Sequence, residues 1–374
     1  MANGDPVHEF LDAAHLKIKE LCNQTNSVDC HAMDLLQAGW SPSTIATEML
    51  NEMQAAVEIV HMANGTWLEV KKNTKIKPEK VLANVSACLA EIRAYADLLM
   101  VFPSSKIETN SDKKKGPEFK ISLGKSKVWV EVCSPDIDRT NLEIHEIQRG
   151  PNWKLSEQRK KVDSSKTHNS NSTKWRTTTH GEIAWKIATI KKEQEKNQAS
   201  DTEYSILWLD FCDLTRWRLT LVLDEAMPLI YGGGAFTSGY LWLGFYGSEC
   251  DPVFDELKPG SSNSEIHESD LDGRFRHGSK FDMAIISTIR RKIALANYKS
   301  IKVIPKNTME TIMQLPGFDH TFSWLEYPPP SEALMARVCR CRDKLYQLSN
   351  SFKNAVDVLE RQDLITNFRN EPWD

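Results

Sequence analysis

The stretch "PEFKISLGKSKVWVEVCSP", residues 117–135, constrains the fold of this chain more than any other. Two runs alternate apolar and polar side chains around a glycine-containing centre, the pattern of two strands joined by a tight turn. With "LGKS" (123–126) as the loop, Ser122 faces Lys127, Lys120 faces Trp129 and Glu118 faces Glu131. Side chains alternate along a strand, so Glu118, Lys120, Trp129, Glu131 and Cys133 share one face of the hairpin. Two carboxylates set opposite each other repel unless a positive charge lies between them. A divalent cation is the usual solution, because hard cations take carboxylate oxygens. The plainer alternative leaves Glu118 at an open strand end and pairs Glu131 with a lysine such as Lys120.

A two-stranded hairpin needs further elements to cover it, and the flanking sequence supplies them. The first hundred residues read as helical. "DPVHEFLDAAHLKIKELC" has helix spacing, "SPSTIATEMLNEMQAAVEIVHMANG" begins on a Ser/Thr cap signal and ends on Asn-Gly, and "EKVLANVSACLAEIRAYADLLMVF" runs to a stop at Pro103. "SKIET" is a short strand before the hairpin. Residues 156–181 are polar and poor in aliphatics, which predicts a loop or lid. "EIAWKIATIKKEQEKN" is a helix with Ile183, Ile187 and Ile190 on one side. "YSILWLDFCD", "WRLTLVLD", "YLWLGFYG", "KFDMAIIST" and "SIKVIP" are strand candidates, and a long amphipathic helix follows "PPP" near the C-terminus. Helices and strands in this order predict a mixed sheet with helices on its faces.

Charge is unevenly placed along the 374 residues. Residues 104–200 hold 20 Lys+Arg against 13 Asp+Glu, inside acidic flanks, for a net charge of −4 overall. A basic middle is compatible with phosphate contact, and equally with a solvated lysine-rich face. The eight cysteines form no CxxC pair and no Cys/His zinc spacing, so they read as reduced thiols of an intracellular, cytoplasmic protein, the nucleus also being open. "MANGDPVHEFLDAAHLKIKE" has early acids and no apolar core, so no signal peptide is expected. The longest uncharged run, Ala226 to Ser248, is broken by "GGG" and reads as strand–turn–strand, not as a membrane helix. No P-loop, dinucleotide fingerprint or Ser-His-Asp order stands out.

The run "PEFKI…VWVEVCSP" resembles the core motif of the PD-(D/E)xK nuclease superfamily, the restriction-endonuclease-like fold. There a strand carries Pro-Asp and a second strand carries Asp/Glu-x-Lys. Pro117-Glu118 matches the first with Glu for Asp; Glu131-Val132-Cys133 matches the second with Cys in place of Lys. The resemblance covers residues 80–212 and implies an α/β fold with an αβββαβ core between helical N-terminal and C-terminal extensions. The boundaries it suggests are 1–78 for a helical region, 79–305 for the α/β domain and 306–374 for a mainly helical end. It further implies that Glu118 and Glu131 bind Mg²⁺ or Mn²⁺, that Glu91 of the preceding helix supplies a carboxylate, and that Lys191 and Gln194 form the edge of the following helix. The family lysine positions the attacking water and stabilises charge on the phosphate, which a mostly neutral thiol cannot do. Cys133 therefore implies that Lys120 or Lys191 has taken over, or that the fold has kept a binding surface and lost catalysis.

The expected function is metal-dependent hydrolysis of nucleic-acid phosphodiesters, DNA or RNA. The alternative is a disabled nuclease-fold module that binds nucleic acid or a protein partner. Trp175 and Arg176, in the polar loop, are candidates for stacking on a base, though a loop tryptophan equally anchors its own loop. His180 and Glu182 sit at a helix start and read as caps. No membrane partner is expected, and the helical ends offer surfaces for an oligomer or protein partner.

Overall fold

The structure, a computed structural model, describes residues 44–72, 81–110, 116–124, 126–135, 142–148, 154–160, 179–190, 203–212, 226, 230–232, 235–255, 265–270, 272–276, 278–288, 291–300, 302 and 304–319. The chain divides into two compact units. One comprises residues 1–136, 191–220 and 280–327, the other residues 137–190, 221–279 and 328–374. The expected helix over residues 5–22, the strand "WRLTLVLD", the C-terminal helix, and the site candidates Trp175, Arg176, Lys191 and Gln194 all lie outside the described residues.

In the first unit, helix α1 (Thr44–Lys72) is longer than its sequence predicts. Asn-Gly marks a break and not an end. Asn64 leaves the helical conformation (φ −158°, ψ 67°), and its side-chain oxygen accepts the Trp67 N–H at 3.1 Å, as an N-cap does. A second helical segment thus restarts and delivers Trp67 edge-on to Tyr95, with ring centroids 5.1 Å apart. Helix α2 (Val81–Val101) carries Tyr95 and ends before Pro103, as expected.

Strands β1 (Ile107–Thr109), β2 (Phe119–Leu123) and β3 (Ser126–Cys133) follow, then β6 (Tyr204–Asp210), β11 (Met283–Ser287) and β12 (Lys292–Ala296). They form one six-stranded sheet in the order β1-β2-β3-β6-β11-β12. The outer pairs are antiparallel, while β3, β6 and β11 run parallel. Leu123 pairs with Ser126, so the hairpin loop holds two residues, and Gly124 takes the positive φ of 65° that such a turn requires. On one face Val128, Val130, Val132, Ile206, Trp208, Met283, Ile285 and Ala294 join a core with Val57, Val60, Leu89, Ile92 and Tyr95 of the two helices. Met309 and Ile312 of helix α5 (Lys306–Ile312) complete it. Each such side chain contributes about 1.5–3 kcal/mol by leaving water.

Two sequence expectations in this unit need correction. "SIKVIP" is not a strand where it is described: Ser300, Lys302, Ile304 and Pro305 lie in irregular backbone, tied by the Ser300 hydroxyl to the Lys302 carbonyl at 3.0 Å. The strand lies earlier, at "KIALA", whose alanines have low strand preference and which pairs because β11 offers an open edge.

In the second unit, β4 (Leu142–Gln148) pairs with β5 (Lys154–Lys160), so residues 156–160, expected to belong to a polar loop, are strand. Helix α3 (Thr179–Thr189) buries Ile183 and Ile187, as its spacing predicts. The short strands β7 (Ile230–Gly232) and β8 (Ala235–Thr237) form the strand–turn–strand expected in the uncharged run. The next segment, "YLWLGFY", is helix α4 (Tyr240–Tyr246) and not a strand. All seven of its residues are buried, so no polar face reveals a helical period. Gly244 lets α4 approach α3 closely: a Cβ there would lie 2.8 Å from the Ile187 Cβ. Strands β9 (Pro252–Asp255) and β10 (Glu265–Glu268) form a further hairpin. Arg274, 2% exposed, donates to the carbonyls of Ile187, at 3.4 Å, and Ile190, where α3 ends.

Candidate functional site

The hairpin register is the one the sequence predicts. Ser122 faces Lys127 and Lys120 faces Trp129. Two residues from Lys120, just before β2 begins, the ladder to β1 continues: the Asn110 N–H donates to the Glu118 carbonyl at 2.9 Å. Glu118 therefore stands in a row with Asn110 on one side and Glu131 on the other. Its carboxylate accepts the Val132 N–H at 2.8 Å, filling the place of the backbone acceptor that β2 would offer had it begun earlier. Glu118 and Glu131 are thus neighbours in register at one end of the hairpin. Glu131 is 3% exposed, on the sheet face opposite the valines that meet α1 and α2.

The adjacent row is also polar. Lys120 sits between Glu108, 3.9 Å from its carboxylate, and the Trp129 ring, 5.0 Å from its centroid. Both partners are in register with it across the sheet. A cation over an indole contributes roughly 0.5–1 kcal/mol. Lys120 thus shares the face of Glu131, one row away. Cys133, partly exposed, follows on the same face.

Glu91 is placed elsewhere. It lies on α2, which packs on the valine face, and its carboxylate receives a hydrogen bond from Lys71 of α1. Lys71 also lies over the Trp67 ring, 5.1 Å from the centroid. This group joins two helices and does not meet Glu131. Glu91→Ala is expected to lower stability by about 1 kcal/mol, the scale of a partly buried ion pair, measured as the shift in urea midpoint.

Among the described residues no three His, Cys, Asp or Glu side chains stand together as a metal site. A pair of carboxylates still fits Mg²⁺, which is commonly held by one or two carboxylates with water and substrate phosphate completing its shell. No helix among the described residues is long and apolar enough to cross a membrane.

No family model, curated protein or solved structure matches this chain.

Sequence reasoning missed a second polar group on the helical face of the same sheet. Arg93 of α2 clasps Asp210, the last residue of β6, through Nε and Nη2, both at 2.9 Å. Lys292, the first residue of β12, pairs with Asp97 at 3.1 Å and donates to the Pro316 carbonyl at 2.8 Å. The signal available was "EIRAYAD", a cation and an acid four residues apart on a largely apolar helix, where charge must have buried partners.

Proposed function

We propose that the chain hydrolyses phosphodiester bonds of nucleic acid with Mg²⁺ or Mn²⁺ held by Glu118 and Glu131. The observation that carries this reading is the row Asn110–Glu118–Glu131, which sets the two acidic residues side by side in the sheet, the Glu118 carboxylate on the Val132 N–H. The element order α2, β1, β2, β3, β4, β5, α3, β6 supports it, being the αβββαβ order of the restriction-endonuclease-like fold with the β4–β5 hairpin inserted. Glu131 holds its carboxylate in a rigid central strand; Glu118 is fixed by its bond to Val132. A divalent ion there lowers the pKa of a bound water and neutralises phosphate oxygens during in-line attack. Lys120, one row away, supplies the nearest described positive charge on that face, and the basic 104–200 region follows the phosphate backbone.

The test is cleavage of labelled single- and double-stranded DNA and RNA with Mg²⁺ or Mn²⁺. Glu131→Gln is expected to lower the rate by about 100-fold, the scale of losing one group that stabilises transition-state charge. Loss on chelation should match it. A second reading, a binding module without catalysis, is favoured by Cys133 at the position of the family lysine. It predicts binding in a fluorescence-anisotropy titration, unchanged in Glu131→Gln, and no cleavage by either protein.

A further inference from the structure

The break inside α1 brings together a side-chain amide, a glycine nitrogen and an imidazole, and the proposed hydrolysis uses none of them. Asn64 has left the helical conformation, and Gly65 follows it. The Asn64 side-chain oxygen accepts the Trp67 N–H at 3.1 Å. Its side-chain nitrogen is 3.5 Å from the Tyr95 hydroxyl, the outer limit of a hydrogen bond. The His61 ring comes from one turn back and lies against Gly65: a Cβ on Gly65 would stand 3.5 Å from His61 Nδ1 and 3.6 Å from Cε1. His61 and Thr66 are exposed and Asn64 and Gly65 partly so, which admits water.

The backbone nitrogen after an asparagine attacks the side-chain amide when it is unhindered, not committed to the helical ladder, and able to give up its proton. Gly65 has no side chain to block the approach or restrict the backbone. It is the first residue of the restarted segment, whose first N–H groups have no partner within that segment. His61 offers an imidazole nitrogen as proton acceptor. The Trp67 N–H, already bonded to the Asn64 oxygen, polarises the carbonyl under attack and stabilises the negative charge that builds on it.

We propose that Asn64-Gly65 is a self-modification site, where the side-chain amide closes to an imide with His61 as base and opens to an aspartyl or isoaspartyl carboxylate. Gly65 N passes its proton to His61 and bonds to Asn64 Cγ. The Cγ–Nδ2 bond breaks, and Nδ2 leaves as ammonia with the proton that His61 returns. Water then opens the five-membered imide. Opening at Cγ gives an aspartate, which still caps the segment and places a negative charge where a helix start favours one. Opening at the main-chain carbonyl gives the isoaspartyl form, with one more carbon in the main chain. That extra length shifts Trp67 against Tyr95 and Phe119, whose ring centroids stand 5.1 Å and 5.9 Å away. The reaction consumes only water, so the contact between α1 and α2 carries a slow, one-way change.

The test is a time course of the full chain, kept folded at neutral pH and in parallel unfolded in urea. Peptides containing residues 64 and 65 are read by mass spectrometry for replacement of the amide by a carboxyl, with aspartyl and isoaspartyl forms separated by chromatography. Both products are expected at Asn64 in the folded chain. Gly65→Ala, whose methyl meets His61 at ordinary contact distance, should fold and leave Asn64 unconverted. His61→Gln, at an exposed position, should slow conversion about tenfold, less than the roughly 10²–10⁴ of a base in an enzyme because hydroxide competes. Asn3-Gly4, the other Asn-Gly of the sequence, is the internal reference and should convert at one rate in the parent and in His61→Gln. An unconverted Asn64 in the folded chain, while the unfolded chain reacts, overturns the proposal, the cap then protecting the amide. Conversion of His61→Gln at the parental rate overturns it as well, since no base would be at work. Neither result bears on the carboxylate pair at the hairpin, which is tested by cleavage.

Discussion

Asp210→Ala is expected to destabilise the sheet-containing unit by about 3–5 kcal/mol, the scale of removing one partner from a buried ion pair. Asp210 is 0% exposed and accepts from Arg93 through both oxygens; it also accepts the Cys212 N–H just beyond β6. Removing it leaves a guanidinium, 9% exposed, without the carboxylate that accepts two of its hydrogen bonds. Most of the cost is that stranded charge, not the lost attraction. The double variant Arg93→Met, Asp210→Leu should therefore recover much of the loss, because apolar replacement of a whole buried pair is often neutral. Urea unfolding followed through exchange protection of the β6 amides measures both. A single-variant loss below about 1 kcal/mol would mean that water reaches Arg93 and that the pair is not a buried one.

The second large effect is expected in the other unit. In Gly273→Ala the new methyl would lie 2.6 Å from the Phe245 carbonyl carbon and 2.8 Å from the Tyr246 nitrogen. Both atoms are backbone, so no side chain can swing away. The segment from residue 273 to 275 lies against the end of α4 and satisfies its carbonyls. Gly273, Arg274 and Phe275 donate to Gly247, Gly244 and Phe245, each at 2.8 Å. Phe275 also packs on Phe245, with centroids 4.8 Å apart. A shift large enough to admit the methyl breaks these bonds and uncovers helix-end carbonyls. The expected cost is about 3 kcal/mol, at the upper end of overpacking effects, read as a fall in the urea midpoint of that unit. An unchanged midpoint would show that the segment moves aside freely.

The carboxylate pair was legible because its determinants are local. A strand repeats every two residues, and a two-residue turn fixes which residues face each other, so Glu118 opposite Glu131 follows from counting. Helix α2 was legible for a similar reason: its apolar spacing is regular and a proline ends it. Where local pattern was missing, the reading failed. "YLWLGFY" has no polar face, since all seven residues are buried, and an apolar run of that length fits a strand as well as a helix. "KIALA" carries little strand preference and is held by its pairing with β11 and, at Lys292, by a bridge to Phe318. Asn64 has the chemistry of a helix end, but its side chain caps a continuation that rests on Tyr95.

The sequence by itself determined the mixed α/β class, the hairpin with its register, and the face on which Glu118, Lys120, Glu131 and Cys133 lie. These depend on residues within one or two turns or strands of each other, where chain geometry leaves few choices. Only the tertiary structure decided the strand order β3-β6-β11, the burial of Arg93 against Asp210 across 117 positions, and the pairing of Asp97 with Lys292. Such contacts close long loops, and the free energy that closes them comes from packing of the whole core, which no local run of residues encodes.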